Sequence, residues 1–117
     1  MKKYKGIKRI YKAFGYSLQG LKTSFKLEAS FRQELLLAVI LIAATFFVTN
    51  DKIEQVLLIL PIFLILIVEI INSAIETVVD KFGKEKNKLS KNAKDMGSAA
   101  VFISFILLII VWLIILI

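Results

Sequence analysis

Three long stretches without a charged side chain constrain this sequence more than any motif in it. They run from Leu35 to Asn50, from Gln55 to Val68, and through the final 22 residues, Met96 to Ile117. An α-helix rises about 1.5 Å per residue and needs roughly 20 residues to cross about 30 Å of hydrocarbon. The last stretch reaches that length unaided. The first must be extended backwards through Phe31, and the second forwards past Glu69 towards Val79. A soluble helical bundle is the competing architecture, but 117 residues cannot surround so many Ile, Leu and Phe side chains with polar surface. The expectation is a single-domain, all-α integral membrane protein. It has three transmembrane helices at about 29–49, 54–80 and 93–117, preceded by an amphipathic helix at about 5–26.

Charge is distributed to match. Residues 1–32 carry nine Lys and Arg against Glu28 alone, and residues 80–95 carry six Lys against Asp80, Glu85 and Asp95. The rest of the chain is net acidic. The positive-inside rule therefore puts the N-terminus and the Lys81–Lys94 loop in the cytoplasm, with the Asn50–Glu54 turn and the C-terminus on the far side. Pro61 falls inside the second span, where it is expected to kink the helix without dividing it. The basic N-terminal stretch has no small-residue cleavage signature behind an apolar run, so the first span is expected in the mature protein.

At 100° per residue, Ile7, Ile10, Tyr11, Phe14, Leu18, Leu21 and Phe25 share an arc of about 100°. Lys8, Arg9, Lys12, Gln19, Lys22 and Lys26 occupy the other side. Such a helix lies in the membrane interface with its positive face towards anionic headgroups. It serves as an anchor, or as an anchor that also holds a lipid substrate. Nucleic-acid binding is not expected, because the basic charge sits on a membrane helix and not on a recognition fold.

The chain has no Cys and no His. That excludes disulfides, Cys/His zinc sites, and Ser-His or Cys-His nucleophiles; the remaining general bases are Glu, Asp and Lys, and any metal has oxygen ligands. Carboxylates are also the anomaly of the second span. Glu69, Asn72, Ser73, Glu76 and Asp80 fall on one side of a helix, with Glu69, Glu76 and Asp80 within roughly 40°. A charged side chain at mid-membrane costs about 2.5–3.5 kcal/mol on insertion scales, so this stripe should face protein or an aqueous cleft. Polar helix-to-helix packing accounts for one such residue better than for a stripe. Metal-assisted transfer uses the whole set: carboxylates hold Mg2+, and another accepts a proton from an attacking hydroxyl. Glu28, where the surface helix meets the first span, is a further ligand candidate. Lys94 and Asp95 suit phosphate handling at the start of the last span, and Gly97, Ser98, Ala99 and Ala100 suit close helix packing. No P-loop, GxGxxG, HRD or DFG pattern occurs, so any kinase here has a different architecture.

Three pieces of the chain, Glu28-Ala29-Ser30-Phe31-Arg32-Gln33-Glu34, Val68 through Asp80, and Ala93 through Val101, closely resemble the small integral-membrane diacylglycerol kinases of bacteria. The resemblance covers nearly the whole chain. It implies a homotrimer in the bacterial inner membrane with active sites shared between subunits at the cytoplasmic face. There ATP would phosphorylate diacylglycerol to phosphatidate, with Mg2+. On matching positions it implies Glu69 as general base and Glu28 and Glu76 as metal ligands. Nucleotide contacts would come from Arg9, Tyr16, Glu28, Glu76, Glu85, Lys86, Asn87, Lys94 and Asp95, with Asn72 and Asp80 supporting. Asn87 departs from the family pattern, which places a histidine there.

The lipid positions implied on the first helix are Arg9, Ala13, Phe14, Gly15, Tyr16, Ser17, Leu18, Lys22, Thr23, Ser24 and Phe25. Ser30, Phe31, Arg32, Gln33 and Glu34 follow on the first span, and Phe47, Val48, Thr49, Asn50 and Gln55 around the turn. Glu69, Ser98 and Trp112 complete them. An undecaprenol kinase of the same fold is the nearest alternative, since helix periodicity does not separate the two acceptors. An ion-conducting or purely structural membrane subunit is the alternative from another class.

Overall fold

Gly6 opens the first helix at φ 63°, a left-handed conformation that glycine adopts without a Cβ penalty. The computed structural model describes residues 5–82 and 87–117, which form four helices. These are α1 (Gly6–Leu27), α2 (Ala29–Val48), α3 (Lys52–Phe82) and α4 (Lys88–Leu116), with no strand among the described residues. α2, α3 and α4 are each long and apolar enough to cross a membrane. The chain is a multi-pass membrane protein.

The turns follow from local side-chain chemistry. Glu28 is the single extended residue between α1 and α2 (φ −114°, ψ 107°). Between α2 and α3, Asp51 Oδ1 accepts the Ile53 amide at 2.8 Å and Thr49 Oγ1 donates to Glu54 Oε1 at 2.6 Å, while Gln55 Nε2 donates to the Thr49 carbonyl at 3.1 Å. Asn87 caps α4 by accepting the Leu89 amide at 2.8 Å. These caps lie upstream of the apolar runs, so α3 starts at Lys52 and α4 at Lys88, earlier than hydropathy alone suggests. A helix begins where its orphan amides find acceptors, not where its side chains turn apolar.

α3 is the inner helix, with the largest buried share of the three spans, and it packs chiefly on α4 and then on α2. The centre holds Ala38, Ile62, Ile65 and Leu108, flanked by Leu41, Ile42, Leu66, Phe105 and Trp112. Pro61 lies within α3 and is buried. A proline removes one amide donor and crowds the preceding turn. In that turn the Leu58 carbonyl accepts the Trp112 indole N–H across the α3–α4 interface at 3.1 Å. Trp112→Phe should therefore lower stability by about 1 kcal/mol, the typical net worth of one hydrogen bond. Reversible unfolding in mixed micelles measures it.

Helix length also sets depth. The 31 residues of α3 span about 46 Å at 1.5 Å per residue, well beyond the hydrocarbon. Twenty residues counted from the start of α3 at Lys52 end near Asn72. Asn72 meets Gly97 of α4, and helix length places the membrane boundary near this level. Glu69 lies about 5 Å inside it by helix rise, and Glu76 and Asp80 lie outside.

Candidate active site

The polar stripe of α3 is buried where it meets the boundary. Glu69 is 6% exposed, Asn72 9% and Ser73 8%. Glu69 meets a second acid that spacing along one helix could not reveal: its carboxyl neighbours that of Glu34 on α2. Glu34 Oε1 is buried and has no donor among the described residues, and the same holds for Asn72 Oδ1 and Ser73 Oγ. Carboxylate oxygens accept and do not donate, so a ligand hydroxyl between the two would find acceptors on both sides. The sequence contained one signal for this pairing. Glu34 is the only charged residue deep in α2, and an intramembrane carboxyl requires a partner.

α4 flanks one side of the stripe. Asn72 packs on Gly97, where a Cβ would collide with Asn72 Oδ1; glycine is what lets the two helices approach here. Further out, Lys94 Nζ lies 3.0 Å from Asp80 Oδ1 and Lys91 Nζ 2.7 Å from Asp95 Oδ2. The second pair is mostly solvent-exposed and spaced i, i+4, worth only about 0.3–0.5 kcal/mol. Lys91 can exchange this partner for a phosphate at low cost. Lys91 carried no expectation from sequence. Asn87 spends its side-chain oxygen on the α4 cap.

The α1–α2 elbow flanks the other side. Gly20, Thr23, Ser24, Leu27 and Glu28 face Ile70, Ser73, Ala74 and Thr77 across a cavity of about 330 Å³. Hydroxyls and one carboxylate lie among apolar walls, a lining suited to an amphiphilic ligand. Thr77 donates to the Ser73 carbonyl at 2.9 Å. Arg32 turns back from α2, and its Nη1 donates to the carbonyls of Phe25 and Lys26 at 2.7 and 3.1 Å.

Other expected positions stand apart within one chain. Arg9, Ala13, Phe14, Tyr16, Ser17 and Leu18 are exposed on the N-terminal part of α1, with Gly15 half-buried among them. Arg9 precedes Glu28 by nineteen residues, about 28 Å along a helix. Phe47, Val48, Thr49, Asn50 and Gln55 lie at the opposite end of α3 from the carboxylates, Gln55 being about 21 Å from Glu69 by helix rise. Trp112 is half-buried on the Pro61 turn. Lys22, Thr23, Phe25, Ser30, Gln33 and Ser98 are exposed near the boundary, whereas Phe31 is buried. Glu85 and Lys86 lie outside the described residues.

Among the described residues no three acidic side chains converge as a metal cage. Mg2+ does not require one: it keeps several waters and typically takes one or two carboxylates plus substrate phosphates. Glu28 and Glu76 are hard oxygen donors, both half-buried and both at the boundary end of the fold, and their chemistry fits that role.

A family model described as prokaryotic diacylglycerol kinase matches residues 15–116. Among similar curated proteins is the diacylglycerol kinase of Haemophilus influenzae, 49% identical over 112 residues, which are 96% of this chain and 95% of that protein. That of Pseudomonas aeruginosa is 49% identical over 107 residues, 92% of this chain and 87% of that one. That of Escherichia coli K12 is 49% identical over 111 residues, 95% of this chain and 91% of that one.

Proposed function

The chain belongs to the prokaryotic diacylglycerol kinase family, and from that premise we propose that it transfers the γ-phosphoryl group of ATP to the free hydroxyl of 1,2-diacylglycerol, releasing phosphatidate and ADP. The observation that carries this reading is the buried Glu69 carboxyl, a few ångströms inside the membrane boundary and facing Glu34. A lipid alcohol brings its hydroxyl to that depth, and the hydroxyl supplies the hydrogen that two facing acceptors need. Glu69 then takes the proton as the alcohol oxygen attacks the γ-phosphorus. Lys94 leaves Asp80 to neutralise phosphate oxygens, and Asp95 orients the nucleotide from the next position. Glu28 and Glu76 would hold Mg2+, whose contribution when bound is charge neutralisation at the phosphates. Catalysis of this kind is positioning and electrostatics, with no phosphoenzyme.

In this reading α1 lies in the cytoplasmic interface of the bacterial inner membrane. The exposed Ile7, Ile10, Phe14 and Leu18 face the acyl region, and the lysines face the headgroups. Assembly is a homotrimer with shared sites. The α3 face bearing Ile71, Ala74 and Val78 is left open in one chain, and Arg9 and Tyr16 reach nucleotide only on another subunit's carboxylates.

The test is phosphotransfer by the purified protein, offered dioleoylglycerol or undecaprenol with labelled ATP. Labelled phosphatidate with dioleoylglycerol as the preferred acceptor is expected. Preference for undecaprenol would move the assignment to the polyprenol enzyme, and ion flux without ATP consumption would remove the kinase reading.

A further inference from the structure

The link between α1 and α2 is one residue long, and that residue is Glu28. Its amide donates to the Ser24 carbonyl at 3.0 Å and its carbonyl accepts the Arg32 amide at 3.2 Å, so Glu28 closes one helix and opens the next. A helix C-terminus leaves its last carbonyls without intrahelical donors. At α1 the Ser24 carbonyl is taken by Glu28, and the following two, Phe25 and Lys26, are both taken by the Arg32 guanidinium. A cation is the favoured partner at this end of a helix. α1 otherwise packs sparsely on α2, so the angle of the elbow depends heavily on this cap.

We propose that Arg32 is a positioning residue that clamps the elbow, so that α1 and the Glu28 carboxylate move as one body. The orientation of the surface helix and the placing of a metal-binding carboxylate then become a single conformational variable. Releasing the clamp lets α1 swing and takes Glu28 away from the cavity it lines with Ser73 and Thr77. The metal half of this inference rests on the proposed kinase reading; the clamp itself does not.

The chain has no cysteine, so one nitroxide can be placed on α1 through Gly20→Cys, where an added side chain meets nothing within 4 Å. The label reports α1 motion in lipid nanodiscs. Calorimetry of ATP binding across a Mg2+ series, without acceptor lipid, reports the carboxylate site independently of turnover. Arg32→Met is expected to sharpen the spectrum towards a mobile label and to raise the half-saturating Mg2+ concentration about fivefold. Arg32→Lys keeps one cationic donor of similar reach and is expected to fall between. If Arg32→Met does not assemble, Arg32→Lys carries the test, with a rise of at least twofold expected alongside a partly mobile label. An unchanged spectrum overturns the clamp. A mobile label with an unchanged Mg2+ requirement reduces Arg32 to a structural cap and overturns the coupling. A wild-type protein that binds no ATP with Mg2+ removes the kinase reading and the coupling with it, while the label still decides the clamp.

Discussion

Glu69→Gln is expected to lower lipid-dependent ATP turnover by about 10²–10⁴-fold, the range that a positioned general base contributes, while the protein remains inserted and assembled. Glutamine keeps the shape of the side chain but cannot take up the acceptor's proton. Its amide can donate to the facing Glu34 carboxyl, so a contact between two acceptors becomes an ordinary hydrogen bond. Stability should therefore hold or rise. That separates this variant from one that merely unfolds, and detergent unfolding run beside the kinetic assay makes the distinction. Near-wild-type turnover in the purified assembly would remove Glu69 as the base.

The second large effect is expected at a residue with no chemistry of its own. Gly97→Ala places a methyl group against Asn72 Oδ1 and Cγ, with Ile75 Cδ1 close behind. Overpacking of this kind costs about 1–3 kcal/mol. The strain has two outlets: α4 moves away from α3, or the Asn72 amide rotates out of the stripe that holds Glu69. Either one displaces groups that must stand within a fraction of an ångström of their working positions. Turnover should fall at least about tenfold, with stability down by about 1–3 kcal/mol. Removing the obstructing amide in Gly97→Ala/Asn72→Ala should return most of the stability, a non-additivity expected of residues in contact. It should not return the activity, because Asn72 is then absent. Additive stability losses in the double variant would show that the Asn72 contact is not the source of the strain.

Several parts of this arrangement were legible in the residue order. The α3 stripe follows from helical periodicity, and its polar members at the boundary, Glu69, Asn72 and Ser73, are buried as the cost of an intramembrane charge demands. Gly97, Ala99 and Ala100 marked a face for close packing, and Gly97 is where α3 presses on α4. That Glu34 needs a partner was legible, but that the partner is Glu69 was not, because the contact joins two helices whose relative rotation and depth no single-helix periodicity encodes. Lys91 and Arg32 fell to the same limit. Arg32 carried an expectation of lipid contact, yet its guanidinium Nη1 is taken up by backbone carbonyls that every sequence contains and none displays.

What the sequence determined by itself was the solvent and the register: three spans, a basic side, and a set of carboxylates confined to one helix face. These are consequences of composition along one dimension, where the cost of placing charge in hydrocarbon dominates all other terms. What only the tertiary structure decided was which of those groups meet. Glu34 reaches Glu69, Lys94 reaches Asp80, and Asn72 rests on Gly97, because helix lengths, caps and one missing Cβ set the depths and separations at which α2, α3 and α4 pack. Contact energies fall off within a few ångströms, so such pairings depend on packing detail that periodicity does not contain.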